Sequence, residues 1–278
     1  MKTGQEGNVD ITGRVERLLK EKKVDIFLGY RDFCGHLIPH GYTLENLDEL
    51  KELKTSNVRY SLEKVAIHLV EKNPDLKIGI IARDCNERSL NVLYTWQQLK
   101  PENIETIGVN CCPSRTRDHA DCSLLEPRET GSFKHEKGVD FNADPGEFLE
   151  NYDNGERFDR WMYEFNKCIK CYGCRNICPV CFCPDCSLEN PDLVEPGTLP
   201  PEIPIFHLIR AVHMAGRCVD CGLCEDACPA DIPLRFLYRQ MNEIVEQVFD
   251  YTPGSGIEKS PFTIIGEKVT LVPKPMDA

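Results

Sequence analysis

The sequence has no run approaching the roughly 18 apolar residues that a membrane-spanning helix requires. Its first ten residues, MKTGQEGNVD, lack the charged-then-apolar pattern of a secretory leader. Neither membrane insertion nor export is indicated, and a cytoplasmic setting is expected. Basic charge is scarce: 33 Lys and Arg against 45 Asp and Glu give a formal net charge of −12. No basic stripe is available to neutralise phosphates, which argues against nucleic acid as a partner. GxGxxG and Walker-type loops are both absent, so the standard nucleotide fingerprints are missing.

Cysteine, by contrast, is abundant. Seven of the sixteen cysteines fall within residues 168–186, CIKCYGCRNICPVCFCPDC. Cys168, Cys171, Cys174 and Cys178 are spaced C-x2-C-x2-C-x3-C and followed by proline. The spacing returns as Cys218, Cys221, Cys224 and Cys228 in CVDCGLCEDACP. In a chain without an export signal, such usage points to metal ligation and not to disulfides. Two complete runs exceed what one tetrahedral zinc needs and fit two [4Fe–4S] clusters. In two-cluster proteins the fourth cysteine of each run ligates the other cluster. That rule assigns Cys168, Cys171, Cys174 and Cys228 to one cluster and Cys218, Cys221, Cys224 and Cys178 to the other. Gly173 and Gly222 stand just before the third cysteine of each loop, where a bare backbone relieves crowding. Oxidation-prone clusters imply an anaerobic, reducing cytoplasm.

At 278 residues the chain has room for two domains. Residues 1–112 read as an α/β domain. A short helix near Val15–Lys20 precedes a buried strand at 24–30, then a Gly-, Pro- and His-rich loop, RDFCGHLIPHGY. Ser61 is a helix N-cap, and the apolar face expected behind it is Leu62, Val65, Ala66, Leu69 and Val70. A strand at 77–82, a helix over 87–99 and a strand at 104–110 complete a small, mostly parallel sheet. Cys85 and the pair Cys111 and Cys112 follow strands, where α/β sheets bind ligands. Cys34 reads as a buried structural thiol. His36 and His40 flank a turn, and His68 lies on a helix; a structural role outweighs flavin or metal contact for each. Residues 113–157, containing Cys122, read as a linker or excursion.

Residues 158–248 read as a mainly helical, ferredoxin-like two-cluster domain. A helix over 158–167 delivers the chain to Cys168. Another follows Pro204 and ends near Gly216, with Ile205, Leu208, Ile209 and Val212 as its expected apolar face. A third begins near Pro233, with Leu234, Leu237, Met241, Ile244, Val245 and Val248 expected inward. His207 and His213 read as structural residues within reach of a cluster. Cys181, Cys183 and Cys186 exceed the needs of two clusters. They are either three ligands of a third Fe–S cluster or a zinc, completed by Cys85 or Cys111, or inert thiols beside the first cluster. Residues 249–278 read as a C-terminal arm carrying a β-prone FTIIGEKVTLV.

The two cysteine segments, CIKCYGCRNICPVCFCPDC and HMAGRCVDCGLCEDACPADIPL, resemble the dicluster segment of the beta subunits of formate dehydrogenases and coenzyme F420-reducing hydrogenases. In the first half, IGIIARDCNERSLNVL and IGVNC are similar to that family's strand–Cys-Asp-x-Arg and strand–Cys elements; Cys85 and Arg88 fit, and Asn86 stands in place of the Asp. The resemblance implies an iron–sulfur electron-transfer subunit, relaying single electrons between a catalytic oxidoreductase subunit and a flavoprotein or ferredoxin acceptor. In some relatives a flavin is added. Two competing readings are a flavin-containing reductase acting on F420, NAD(P)H or ferredoxin, and a disulfide-reducing catalyst built on Cys111 and Cys112. The latter is weakened by a single CCP where repeated CCG is the rule. No catalytic residue is assigned.

Overall fold

A computed structural model describes residues 10–55, 60–109 and 153–263. The chain separates into two compact units, Met1–Val139 and Asp140–Ala278. Cys111, Cys112, Cys122 and the FTIIGEKVTLV segment beyond Thr263 lie outside the described residues, as does nearly all of the expected linker.

The first unit opens with α1 (Ile11–Lys20), capped by Asp10, whose carboxylate accepts the Gly13 N–H at 2.9 Å. Its sheet comprises β1 (Ile26–Phe33), β2 (His36–Tyr42), β3 (Leu53–Lys54), β4 (Ile78–Ala82) and β5 (Ile104–Gly108). The order is β2-β1-β4-β5, with β3 also on β1. β4 runs parallel to both β1 and β5, whereas β2 and β3 are antiparallel to β1. Phe27, Leu28, Ile78, Ile80 and Ile81 are buried in it, and Val15 and Leu19 of α1 join Phe27, Tyr42 and Ile107 in one core cluster.

The expected loop after β1 is instead a hairpin. Cys34 and Gly35, both with positive φ (54° and 80°), form its two-residue turn, and Asp32 accepts the Gly35 N–H at 3.0 Å. The strand signal is muted because β2 is an edge strand carrying Pro39 and little apolar alternation. Cys34 is exposed at the turn and not a buried thiol. His40 is held by Glu49 at 2.7 Å.

Between β3 and β4 runs α2 (Leu62–Lys72), with Ser61 as its N-cap; α3 (Asp84–Thr95) follows β4 directly. The buried face of α2 is Leu62, Glu63, Ala66 and Ile67, while Val65, Leu69 and Val70 are only partly covered. Glu63 turns inward because it has partners there. Its carboxylate accepts from Asn86 Nδ2 at 2.8 Å, and Asn86 Oδ1 accepts the Arg83 N–H at 2.9 Å.

The second unit contains α4 (Asn154–Asn166), α5 (Gly173–Asn176), α6 (Ile205–Met214), α7 (Leu223–Asp226) and α8 (Leu234–Phe249). Helices and turns, with no strand, make up its described residues, in keeping with the expected helical character. The inward face of α6 is not the expected one. Phe206, His207, Arg210, Ala211 and Met214 are buried, whereas Ile205, Leu208 and Val212 are exposed, Val212 to 62%. A charged residue takes the inner face because it meets thiols and a backbone carbonyl there, as described below. On α8, Leu234, Leu237 and Val245 face inward as expected; Ile244 is exposed, and Arg235 and Tyr238 are buried instead. No helix among the described residues is long and apolar enough to cross a membrane.

Candidate metal centre

The two cysteine runs fold as copies of one another, each residue of the first matching the residue fifty positions later, as Cys168 matches Cys218. Each run follows a helix, α4 or α6, and encloses a single helical turn, α5 or α7. Backbone hydrogen bonds recur in register. Arg175 and Asn176 donate to the Tyr172 carbonyl as Glu225 and Asp226 donate to that of Gly222. Cys178 donates to Arg175 as Cys228 donates to Glu225, and Cys181 to Cys178 as Asp231 to Cys228. The short helices α5 and α7 pack against each other.

Left-handed backbone recurs too. Lys170 and Asp220 have φ of 50° and 53°, and Tyr172 and Gly222 have 57° and 79°. Such conformations are unusual for Lys and Tyr, and they have a consequence here. The turn at Lys170 aims its N–H at Cys168 Sγ, 3.4 Å away, and Asp220 makes the matching backbone contact to Cys218. An amide aimed at a sulfur favours the thiolate, the form that binds metal. Gly222 holds a left-handed turn that suits glycine. Gly173 has a different reason: a Cβ there would lie 3.2 Å from the Ala227 carbonyl oxygen and 3.5 Å from Cys171 Sγ.

The thiols fall into two groups of electrostatic neighbours. Cys168 feels Cys174, Cys228 and Cys171, and Cys174 feels Cys171, Cys228 and Cys178. Cys224 feels Cys221, Cys218 and Cys178, and Cys218 feels Cys178. Cys228 is therefore a neighbour of the first run, and Cys178 a neighbour both of Cys174 and of Cys218 and Cys224 in the second. Among the described residues no three His, Cys, Asp or Glu side chains close onto one metal ion, so these are groups of neighbours and not a single-ion site.

Burial pushes the Cys168 thiol up to about 11 and that of Cys218 to about 12, and raises Cys174 and Cys224 as well. Mutual repulsion among the thiols adds to this. Such a set becomes ionised when cations supply the missing positive charge, as iron does. Hydrogen-bond donors also stand ready. Arg210 Nε and Tyr238 Oη are buried without a hydrogen-bond partner. The guanidinium lies 5.5 Å over the Tyr238 ring, and both side chains sit in the field of Cys174 and Cys178. The chemistry of these donors and thiols fits a thiolate-held, electron-rich group.

Cys181, Cys183 and Cys186 occupy a different environment, each beside an arginine. Arg210 Nη1 lies 3.7 Å from Cys181 Sγ, Arg217 Nη1 lies 3.4 Å from Cys183 Sγ, and Arg175 is hydrogen-bonded to Cys186. Cys186 also packs with Cys168 and Tyr172 against Leu188, Val194 and Phe206. Cys85 is buried in the first turn of α3, in the other unit. His207 is buried and stacked on Phe165 at 4.4 Å, with both ring nitrogens lacking a hydrogen-bond partner; His213 is exposed. An open groove beside the first run is lined by Ile169, Tyr172, Leu188, Val194 and Leu199.

Comparison with known proteins bears on the second run directly. Residues 211–233 match the 4Fe-4S binding domain, a span containing Cys218, Cys221, Cys224 and Cys228. A 96-residue stretch is 47% identical to the F420-dependent formate dehydrogenase subunit beta of Methanocaldococcus jannaschii, covering 34% of this chain and 25% of that protein. A 103-residue stretch is 45% identical to the F420-dependent formate dehydrogenase 1 subunit beta of Methanococcus maripaludis, covering 37% and 26%. Over these stretches the chain is similar to formate dehydrogenase beta subunits. It spans about a quarter of the length of the curated relatives it matches. The second run lies in the matched 4Fe-4S span, and the first run repeats several of its backbone hydrogen bonds.

Sequence reading missed Arg210, Tyr238, Lys170 and Asp220. Arg210 had a signal: it stands in helical register with Phe206 and Met214, on the face opposite Val212. A charge in that register marks a buried counter-charge. The left-handed turns at Lys170 and Tyr172 had none, since neither residue type favours them.

Proposed function

We propose that this chain is an electron-transfer iron–sulfur subunit of an anaerobic oxidoreductase complex. It relays single electrons through two [4Fe–4S] clusters, between a catalytic partner of the formate dehydrogenase or hydrogenase kind and a flavoprotein or ferredoxin acceptor. The observation that carries this is the repeated fold of the two cysteine runs, which pack through α5 and α7, with Cys228 among the neighbours of Cys168 and Cys174 and Cys178 among those of Cys218 and Cys224. Cys168, Cys171, Cys174 and Cys228 hold one cluster, and Cys218, Cys221, Cys224 and Cys178 the other. When bound, such clusters supply one-electron transfer at potentials set by charge, hydrogen bonds to sulfur and solvent exposure.

The residues supply the rest. The Lys170 and Asp220 amides stabilise the first thiolate of each run. Apolar burial by Phe165, Phe206, Leu223 and Leu237 keeps water from the interior of the unit. The crossed ligation holds the two sites next to each other, since one short helix, α5 or α7, carries the third cysteine of each run and leads to the fourth, and the two helices pack together. The exposed Ile169 lines the apolar groove with Leu199, two residues from the exposed Cys171, and this face suits electron exchange with a partner. The exposed stripe of Ile205, Leu208 and Val212 on α6 suits assembly into a larger complex.

A third site on Cys181, Cys183 and Cys186, holding an Fe–S cluster or zinc, extends this reading. Anaerobic purification followed by iron, sulfide, zinc and flavin counting tests all of it. Eight irons per chain support two clusters, and twelve, or eight with one zinc, establish the third site. Stoichiometric flavin with hydride-donor oxidation by the isolated chain overturns the relay in favour of a flavin reductase.

A further inference from the structure

The inner face of α6 carries one cation where an apolar residue would otherwise pack. Arg210 is buried to within 2% of its surface. Its Nη2 donates to the Cys174 carbonyl at 2.8 Å, its Nη1 lies 3.7 Å from Cys181 Sγ, and its plane rests on Tyr238. No carboxylate is bonded to it among the contacts of the described residues. The groups whose charge it meets are thiols from both sets: Cys174 and Cys178 around it, with Cys218 and Cys224 feeling its field in turn.

A buried cation without a carboxylate partner is costly unless something anionic stands nearby. Reduction of a thiolate-held cluster adds one negative charge to an already anionic group. A fixed positive charge in a low-dielectric interior stabilises the reduced state relative to the oxidised one and so raises the potential. A cation whose field reaches thiols of both runs acts on both.

We propose that Arg210 is a positioning residue that raises the reduction potentials of both clusters together. This rests on the two-cluster reading above. Arg210 touches the loop carbonyl and not the electron donor or acceptor, and it acts through its field.

The test is potentiometric titration of the anaerobically purified full chain, followed by electron paramagnetic resonance, with iron counted on the same samples. Three variants are compared with the parent. Arg210→Met removes charge and donors, Arg210→Gln removes the charge and keeps a donor for the Cys174 carbonyl, and Arg210→Lys keeps the charge. With eight irons retained, Met and Gln are expected to lower both potentials by about tenfold in the one-electron reduction equilibrium, about 59 mV. Lys is expected to leave both near the parent values. If the Met variant fails to load iron, the Gln variant is read against Lys in its place. Potentials unchanged in fully loaded Met or Gln variants overturn the proposal, as does a fall confined to one cluster. A parent protein holding fewer than eight irons overturns the underlying two-cluster reading instead.

Discussion

Cys228, the last cysteine of the second run, stands in the field of Cys168, the first cysteine of the first run. Nothing local brings them together. The contact arises because the two runs are copies that pack through α5 and α7, so the cysteine leaving each short helix is carried to the other run. The crossed ligation we propose is thus what repeat packing would produce.

That relationship predicts which cysteines are lost together. Cys168→Ser and Cys228→Ser should each abolish the same paramagnetic signal of the reduced protein and reduce iron from about eight to about four per chain. Cys178→Ser should abolish the other signal, the one lost in Cys218→Ser. If Cys178→Ser and Cys168→Ser remove the same signal, each run closes on itself and the crossed arrangement is wrong.

In the α/β unit, Asn86 is required by Glu63. The amide both donates to the buried carboxylate and accepts from the Arg83 amide. Burial, the leading cause, raises the Glu63 carboxyl above its ordinary value. Its contribution to stability is therefore fully present below pH 4.5 and is lost as pH rises through the folded value. Asn86→Asp would oppose two carboxylates and is expected to cost about 3 kcal/mol near neutral pH, less on the acid side. Glu63→Gln should recover most of that loss in the double variant, and denaturant unfolding at pH 4.5 and pH 7.5 measures it. An additive double variant contradicts the pairing.

His207 gives a dependence of opposite sign. Burial, aided by the nearby Arg210 charge, pulls its imidazole down to about 4 from 6.5. The unfolded chain takes up a proton between those values and the folded chain does not. Stability is complete above pH 6.5 and falls by up to about 3 kcal/mol as pH drops toward 4. His207→Phe keeps a ring against Phe165 and should flatten this part of the pH profile. An unchanged profile in thermal unfolding would show that His207 is protonated, or accessible, in the folded protein.

The sequence made the cysteine runs, the helical character around them and the α/β character of the first half legible, because spacing and apolar periodicity are local signals. Strand and helix positions in the first unit match to within a few residues for β4, β5 and α2. The hairpin at Cys34-Gly35 was hidden by an edge strand with little to bury. The inner face of α6 was misread because periodicity looks for apolar residues, and this helix turns His207 and Arg210 inward and Ile205, Leu208 and Val212 outward. Charge near the thiols outweighs hydrophobic patterning there. The left-handed turns at Lys170 and Tyr172 arise from the closing of the cysteine loop and leave no trace in residue type.

The central claim is two clusters held by eight crossed cysteines, and metal analysis tests it most directly. Anaerobically purified chain should contain eight irons and eight sulfides, and after reduction it should show two interacting paramagnetic centres. Four irons, or zinc in place of iron on either run, would contradict it.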